Sequence, residues 1–175
     1  MPPALSFTLD RNADNPDLLR LIETCFPSDF ESRLVDKIKR SGSTYLSVLM
    51  HADDRLAGQV FFSPVTVAGV DESADNDGGA GLGPMCIHPD FQRQRLGLSL
   101  LRESLSFARE QGWRWVVVLG HPEFYPLAGF TPASRFGLSC PYPAPDEAFM
   151  ALELAPGALD NVRGMVSYHP AFDEG

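Results

Sequence analysis

The stretch from Leu82 to Phe130 constrains the fold of this chain most, because it reads in order as strand, polar turn, helix, strand and aromatic loop. Leu82 to Pro89 has the composition of a buried strand, and Gln92-Arg-Gln-Arg-Leu-Gly97 is a polar turn. The helix after it spans about Leu98 to Gln111 and stops at Gly112. Leu98, Leu101, Leu105 and Ala108 share one face of that helix, widened by Leu100 and Phe107, and Arg102, Glu103, Arg109 and Glu110 take the other. Trp115 to Gly120 follows as a second strand, and then Tyr125-Pro-Leu-Ala-Gly-Phe130. A strand that feeds a polar turn and a helix N-terminus presents backbone N–H groups and the positive end of the helix dipole to an anion. An ordinary β-α-β crossover has the same order of elements. Three details argue for more than a crossover. Pro84 interrupts the first strand and cannot donate to a ladder, so backbone there is expected to be open to a ligand. Gln92 to Gly97 supplies successive N–H groups, and Tyr125 follows five residues after Gly120, where the second strand should end.

At 175 residues the chain is expected to be one domain, 1–175, with a Pro-rich loop at 139–147 and a short extension after 155. No apolar run approaches the roughly 20 residues of a membrane span, and the first ten residues have neither the basic region nor the apolar stretch of a secretory signal. Cys25, Cys86 and Cys140 are odd in number, widely spaced and without zinc-ligand spacing, which favours free thiols, a cytoplasmic location and no metal. A formal net charge of −9 argues against nucleic-acid binding. Against that acidity, Arg93, Arg95, Arg102, Arg109 and Arg114 are five of the fourteen Lys and Arg residues and cluster around one turn.

Elsewhere, residues 5–10 alternate weakly as a first strand. Asn15-Pro16-Asp17 opens a helix with Asn as N-cap and Pro at the first position. Leu18, Leu21, Ile22 and Cys25 form its apolar face, and Phe26-Pro27 ends it. Ser28 and Glu31 have capping-box spacing ahead of a second helix that runs to about Arg40. Tyr45–Met50 and Leu56–Val67 are predicted as hairpin strands turning at Asp53-Asp54. Residues 71–79 form a polar turn; Asp75, Asp77 and Gly78 suggest a calcium loop that lacks its bidentate glutamate, so a hairpin tip is preferred. Glu147–Leu154 is a further strand, and the tail holds a short helix near Gly157–Val162.

Taken together, Met85-Cys-Ile-His-Pro-Asp-Phe-Gln-Arg-Gln-Arg-Leu-Gly97, the Leu-rich helix, the Trp115–Leu119 strand and Tyr125-x-x-x-Gly129-Phe130 resemble the GNAT superfamily of acyl-CoA-dependent N-acetyltransferases, in particular its YhbS-like branch. The motifs cover about a third of the chain. The resemblance implies an α/β fold: a central, mostly antiparallel sheet with a splayed parallel strand pair and flanking helices. It implies acetyl-CoA as co-substrate, bound by Met85, Cys86 and Ile87 along the pantetheine arm and by Gln92, Arg93, Gln94, Arg95, Leu96, Gly97 and Leu98 at the pyrophosphate. Two departures stand out. Arg95 replaces the first glycine of the family's turn, and Gly120-His121-Pro122 stands where many members place an Asn.

The resemblance further implies direct attack by an amine, with Tyr125 protonating the departing thiolate. His121 is the candidate base by intrinsic pKa and position. Cys86 offers a ping-pong alternative through an acyl-enzyme, set against its ordinary role as a small buried hydrophobe. A primary amine of a small molecule or peptide is the expected acceptor, in a pocket lined by Phe26, Phe30, Tyr142 and Glu147. A homodimer is compatible with the family. The competing reading is a non-catalytic module or sensor that binds CoA or acyl-CoA.

Overall fold

The Asn15-Pro16-Asp17 signal forms the helix start it predicts. The Asn15 side chain accepts from the Leu18 N–H at 3.2 Å, satisfying one of the donors that a helix N-terminus leaves open. The computed structural model describes residues 1–69 and 78–174. The polar turn and the calcium-loop reading at 71–79 therefore lie, but for Gly78 and Gly79, outside the described residues. In chain order the elements are β1 (Leu5–Leu9), α1 (Pro16–Cys25), α2 (Phe30–Arg40), β2 (Leu46–Ala52), β3 (Arg55–Pro64), β4 (Thr66–Val67), β5 (Gly79–Ile87), α3 (Leu96–Glu110), β6 (Trp115–Leu119), β7 (Thr131–Pro132), β8 (Leu138–Ser139), β9 (Phe149–Glu153) and β10 (Gly164–Ser167). The fold is of the mixed α/β class, with antiparallel ladders, a parallel β5–β6 pair and flanking helices. No helix among the described residues is long and apolar enough to cross a membrane.

The chain divides into two compact units. The first comprises Met1–Ser63, Gly83–Ser104 and Pro170–Gly175; the second comprises Pro64–Leu82 and Leu105–His169. In the first unit β2 pairs antiparallel with both β1 and β3. The β2–β3 hairpin turns at Asp53 and Asp54, both at positive φ (48° and 72°), the geometry that matches strand twist in two-residue hairpins. The apolar faces of α1 (Leu18, Leu21, Ile22) and α2 (Leu34, Val35, Ile38) close on Leu49, Phe61 and Cys86. Full burial of each such leucine or isoleucine is worth about 1.5–3 kcal/mol relative to exposure. Beside this core the Lys39 ammonium is buried against the Asp10 carboxylate and also donates to the Asn12 carbonyl at 3.1 Å.

In the second unit β5 pairs in parallel with β6 from Gly79↔Trp115 to Leu82↔Val118. Strand β9 is antiparallel to β6 and to β7. Trp115, fully buried, centres a core with Val117, Phe149, Leu159 and Val166. The C-terminus of α3 closes as expected at Gly112, which sits at φ 93°. The Trp113 N–H reaches the Ala108 carbonyl and the Gly112 N–H the Arg109 carbonyl, both at 3.1 Å, the paired bonds of a Schellman cap.

Four expectations are corrected. Helix α3 begins at Leu96, not Leu98, so Leu96 to Leu98 form its first turn. The Ser28–Glu31 capping box does not form: Asp29 is the N-cap of α2, and the Ser28 hydroxyl accepts from the Phe30 N–H at 3.3 Å instead. The long strand to Val67 is broken after Pro64 into β3 and β4. The tail forms a turn rather than a helix near Gly157–Val162, and then strand β10, which pairs antiparallel with β4 and parallel with β8. Val166 anchors β10 at zero exposure.

Candidate active site

In the first unit, the second half of β5 leads into the polar turn, and alternation along the strand fixes which backbone groups face which way. The His88 N–H donates to the Ala57 carbonyl at 2.7 Å, and the Cys86 carbonyl lies 3.1 Å from the position a β-carbon on Gly58 would take. The backbone groups of Cys86 and His88 therefore face β3, and those of Met85 and Ile87 turn to the opposite edge. On that edge the Ile87 carbonyl already accepts from Gln92 Nε2 at 2.9 Å and from the Cys25 thiol at 3.4 Å. The Pro84 carbonyl accepts from the buried Gln59 Nε2 at 3.0 Å.

The turn itself is built from both sides. Residues Pro89–Phe91 form a 3-10 turn capped by His88, whose Nδ1 accepts from the Asp90 N–H at 3.0 Å. From the β2–β3 hairpin Arg55 donates to the Asp90 carboxylate at 3.0 Å and lies 4.9 Å over the Phe91 ring. The Arg55 hydrogen bond, with the charges around it, holds Asp90 below the usual carboxylate range. Arg93 and Arg95 follow at φ 63° and 60°, in the left-handed region that an L-residue occupies at a cost of about 1 kcal/mol or more. Both side chains are exposed, and neither makes a salt bridge among the described residues. Helix α3 starts directly after them, so the N–H groups of Leu96, Gly97 and Leu98 belong to the first turn, where they have no intrahelical acceptor. The turn thus carries two exposed arginines and leads into a helix N-terminus, groups whose chemistry suits a diphosphate. Phe26 and Phe30, expected in an acceptor pocket, are half-buried against the core between α1 and α2.

In the second unit Tyr125 begins a 3-10 turn, Tyr125–Ala128, closed by Gly129 at φ 101°. The ring meets Phe124 and Phe130 edge-on, with centroids 5.1 and 5.7 Å away. Only 8% of Tyr125 is exposed, and burial pushes its phenol up to about 12, so the group is protonated at neutral pH. Its hydroxyl makes no hydrogen bond among the described residues. The His121 carbonyl accepts from the Tyr125 N–H at 3.4 Å, whereas the His121 imidazole points into solvent with Nδ1 3.9 Å from Glu123. Glu147 is exposed in the Asp146–Ala148 turn. Tyr142 lies against Tyr168, ring centroids 5.8 Å apart. Tyr168 carries no signal in the sequence, yet its ring packs on β5: a β-carbon on Gly81 would be 2.7 Å from Tyr168 Cε1. Sequence reasoning also passes over Arg55, Gln59 and the thiol of Cys25, none of which has a motif that ties it to β5 or to the turn.

The acetyltransferase (GNAT) family model matches residues 15–124. An N-acetyltransferase of uncharacterized role from Escherichia coli K12, YhbS, is 34% identical over 161 residues, covering 91% of this chain and 93% of its own. The crystal structure of Escherichia coli YhbS in complex with CoA is similar at a TM-score of 0.88 and 31% identity, covering 98% of this chain and 93% of that one. A GNAT family acetyltransferase from Brucella melitensis in complex with acetyl-CoA is similar at a TM-score of 0.76 and 27% identity, covering 97% of this chain and 99% of that one.

Proposed function

This chain belongs to the acetyltransferase (GNAT) family, and from that premise we propose that it moves an acetyl group from acetyl-CoA to a primary amine of a small molecule or peptide by direct attack. The observation that carries the reading is the start of α3, where two arginines at positive φ lead into a helix of 15 residues. The diphosphate would rest on the N–H groups from Arg93 to Leu98, with the side chains of Gln92 and Gln94 bracing the turn on the Ile87 and Asp90 carbonyls. The pantetheine arm would lie along the Met85–Cys86–Ile87 stretch, on the edge to which Met85 and Ile87 turn their backbone groups. The CoA and acetyl-CoA complexes of the two structural relatives support this assignment.

Tyr125 is the general acid of this reading: burial keeps its proton in place until the thiolate departs. His121, four residues ahead of it, is the candidate base, and Tyr142 and Glu147, with Phe26 and Phe30, belong to the acceptor side. The same reading takes residues 1–175 as one acetyltransferase domain, placed in the cytoplasm and compatible with a homodimer. A CoA-release assay over a panel of amines, amino acids and peptides identifies the acceptor. Tyr125→Phe should lower turnover about a hundredfold with acetyl-CoA affinity nearly unchanged; full activity in that variant would remove Tyr125 from the mechanism. Calorimetry that detects no CoA or acetyl-CoA uptake by the folded chain would overturn the reading altogether. Uptake without CoA release from any amine would favour the binding module.

A further inference from the structure

Glu31 stands where the pattern of α2 asks for an apolar residue. It lies three, four and seven positions ahead of Leu34, Val35 and Ile38, the buried face of that helix. The capping box that would have occupied its carboxylate does not form, because Asp29 holds the N-cap. Glu31 Oε2 is shielded from solvent and has no hydrogen-bond partner among the described residues, while the residue as a whole stays partly exposed. The helix N-terminus favours the negative charge but gives that oxygen no bond. The sheet face under α2 repeats the pattern. Phe61 packs with the apolar face of α2, and Gln59 and Ser63 alternate with it on the same side of β3. Ser47, opposite Phe61 on β2, shares that side. Gln59 and Ser63 have no exposure, yet Gln59 Oε1, Ser47 Oγ and Ser63 Oγ are also without a partner among the described residues. Buried polar groups are ordinarily satisfied, and leaving one open is costly. Four such atoms in the first unit point to polar groups that arrive with a ligand.

We infer that Glu31 is a specificity-determining residue for the acceptor, and that its carboxylate holds an ammonium group other than the one that reacts. The acceptors are then diamines, polyamines and other amines with a second cationic amino group. The inference rests on the acetyl-transfer reading for its acceptor. A carboxylate and an amide oxygen only accept, and an ammonium only donates, so Glu31 and Gln59 present what a cationic amine lacks. The reacting nitrogen has to be neutral to attack, whereas a carboxylate keeps its neighbour charged. The nitrogen held at Glu31 is therefore a different one. Phe30 precedes Glu31 and Phe26 follows the end of α1; both are half-buried on the same cluster and offer the aromatic surface that a cation favours. The formal net charge of −9 draws cationic rather than anionic ligands to the chain.

The test sets putrescine and cadaverine against butylamine and pentylamine, the monoamines of the same length, on the full chain. Calorimetry without CoA should show a diamine binding about tenfold more tightly than its monoamine. Glu31→Gln should bring the diamine down to the level of the monoamine. In the CoA-release assay the same preference should appear in KM rather than in kcat, and it should collapse in the same variant. Glu31→Leu continues the apolar stripe of α2 and should raise the thermal midpoint by about 2–4 °C. A lowered midpoint would mean that the carboxylate holds the fold together, and would overturn the assignment. Equal binding of diamine and monoamine to the wild-type chain overturns it as well, as does a preference that survives Glu31→Gln. Diamine binding through Glu31 without CoA release from any amine keeps the ammonium site and sinks the acetyl-transfer reading. CoA release from monoamines and diamines alike keeps that reading and removes the site.

Discussion

A β-carbon on Gly120 would stand 2.4 Å from Cε2 of Tyr125, closer than non-bonded carbons approach. Gly120 follows the last residue of β6, and its N–H donates to the Ala148 carbonyl at 2.9 Å, so its backbone is fixed. The phenol ring is fixed as well, held edge-on between Phe124 and Phe130. Close approach is what requires glycine here, and the absence of a side chain at 120 is what lets the Tyr125 ring lie over the end of the strand.

Gly120→Ala should therefore displace the ring or strain the strand end. Overpacking of this kind costs about 1–3 kcal/mol, readable as a lowered urea midpoint with an unchanged slope. If the ring moves, turnover in the CoA-release assay should fall with it. A variant as stable and as active as the wild type would show that the contact has no consequence.

The raised Tyr125 phenol makes stability depend on alkaline pH. A phenol titrates ordinarily at 10.0 and this one at about 12, because burial penalises the phenolate. The folded state therefore holds its proton where the unfolded state has released it. The contribution is intact below pH 10.0, declines as pH rises, and is lost once pH passes about 12. Its full size is about 3 kcal/mol. Denaturation followed from pH 8 to 12 should show a shallower loss in Tyr125→Phe. Burial also raises Tyr168 and Tyr45, so the slope should shrink without vanishing.

Arg95 holds a conformation that glycine adopts without strain. Arg95→Gly should raise folding stability by about 1 kcal/mol, seen as a higher thermal midpoint. The same change removes a guanidinium from the turn. In the proposed reading acetyl-CoA affinity should fall about tenfold, with a weaker dependence on salt. Unchanged affinity would mean that the backbone N–H groups alone hold the diphosphate.

Asp10→Ala leaves the buried Lys39 ammonium with the Asn12 carbonyl and the nearby Tyr45 ring, 5.7 Å away, as its remaining company. Removing one partner of a buried ion pair costs about 3–5 kcal/mol. Chemical denaturation should show that loss, and the double variant Asp10→Ala with Lys39→Met should recover part of it.

Much of this molecule follows from signals that act within a few residues. Asn15 caps α1, Asp53-Asp54 turns the hairpin, Gly112 stops α3, and the apolar stripe of α3 buries Leu101, Leu105 and Ala108. Strand β10 escaped because two-residue β4 and β8 are its partners, and strands that short are specified by pairing across the fold rather than by their own composition. The capping box failed where Asp29 took the cap that the spacing offered to Ser28.

The order strand, turn, helix, strand and aromatic loop, the arginines at the turn and the tyrosine after β6 are properties of the chain itself, because propensity, capping and periodicity are local. The partners of distant side chains are not. Sheet register decides that the Cys86 backbone faces β3 while Ile87 faces away. Packing decides that Gln59 takes the Pro84 carbonyl, that Arg55 braces Asp90, and that the Cys25 thiol reaches the Ile87 carbonyl. Each of those pairs joins groups whose separation along the chain leaves no periodic trace, and only the free energy of the assembled core brings them within bonding distance.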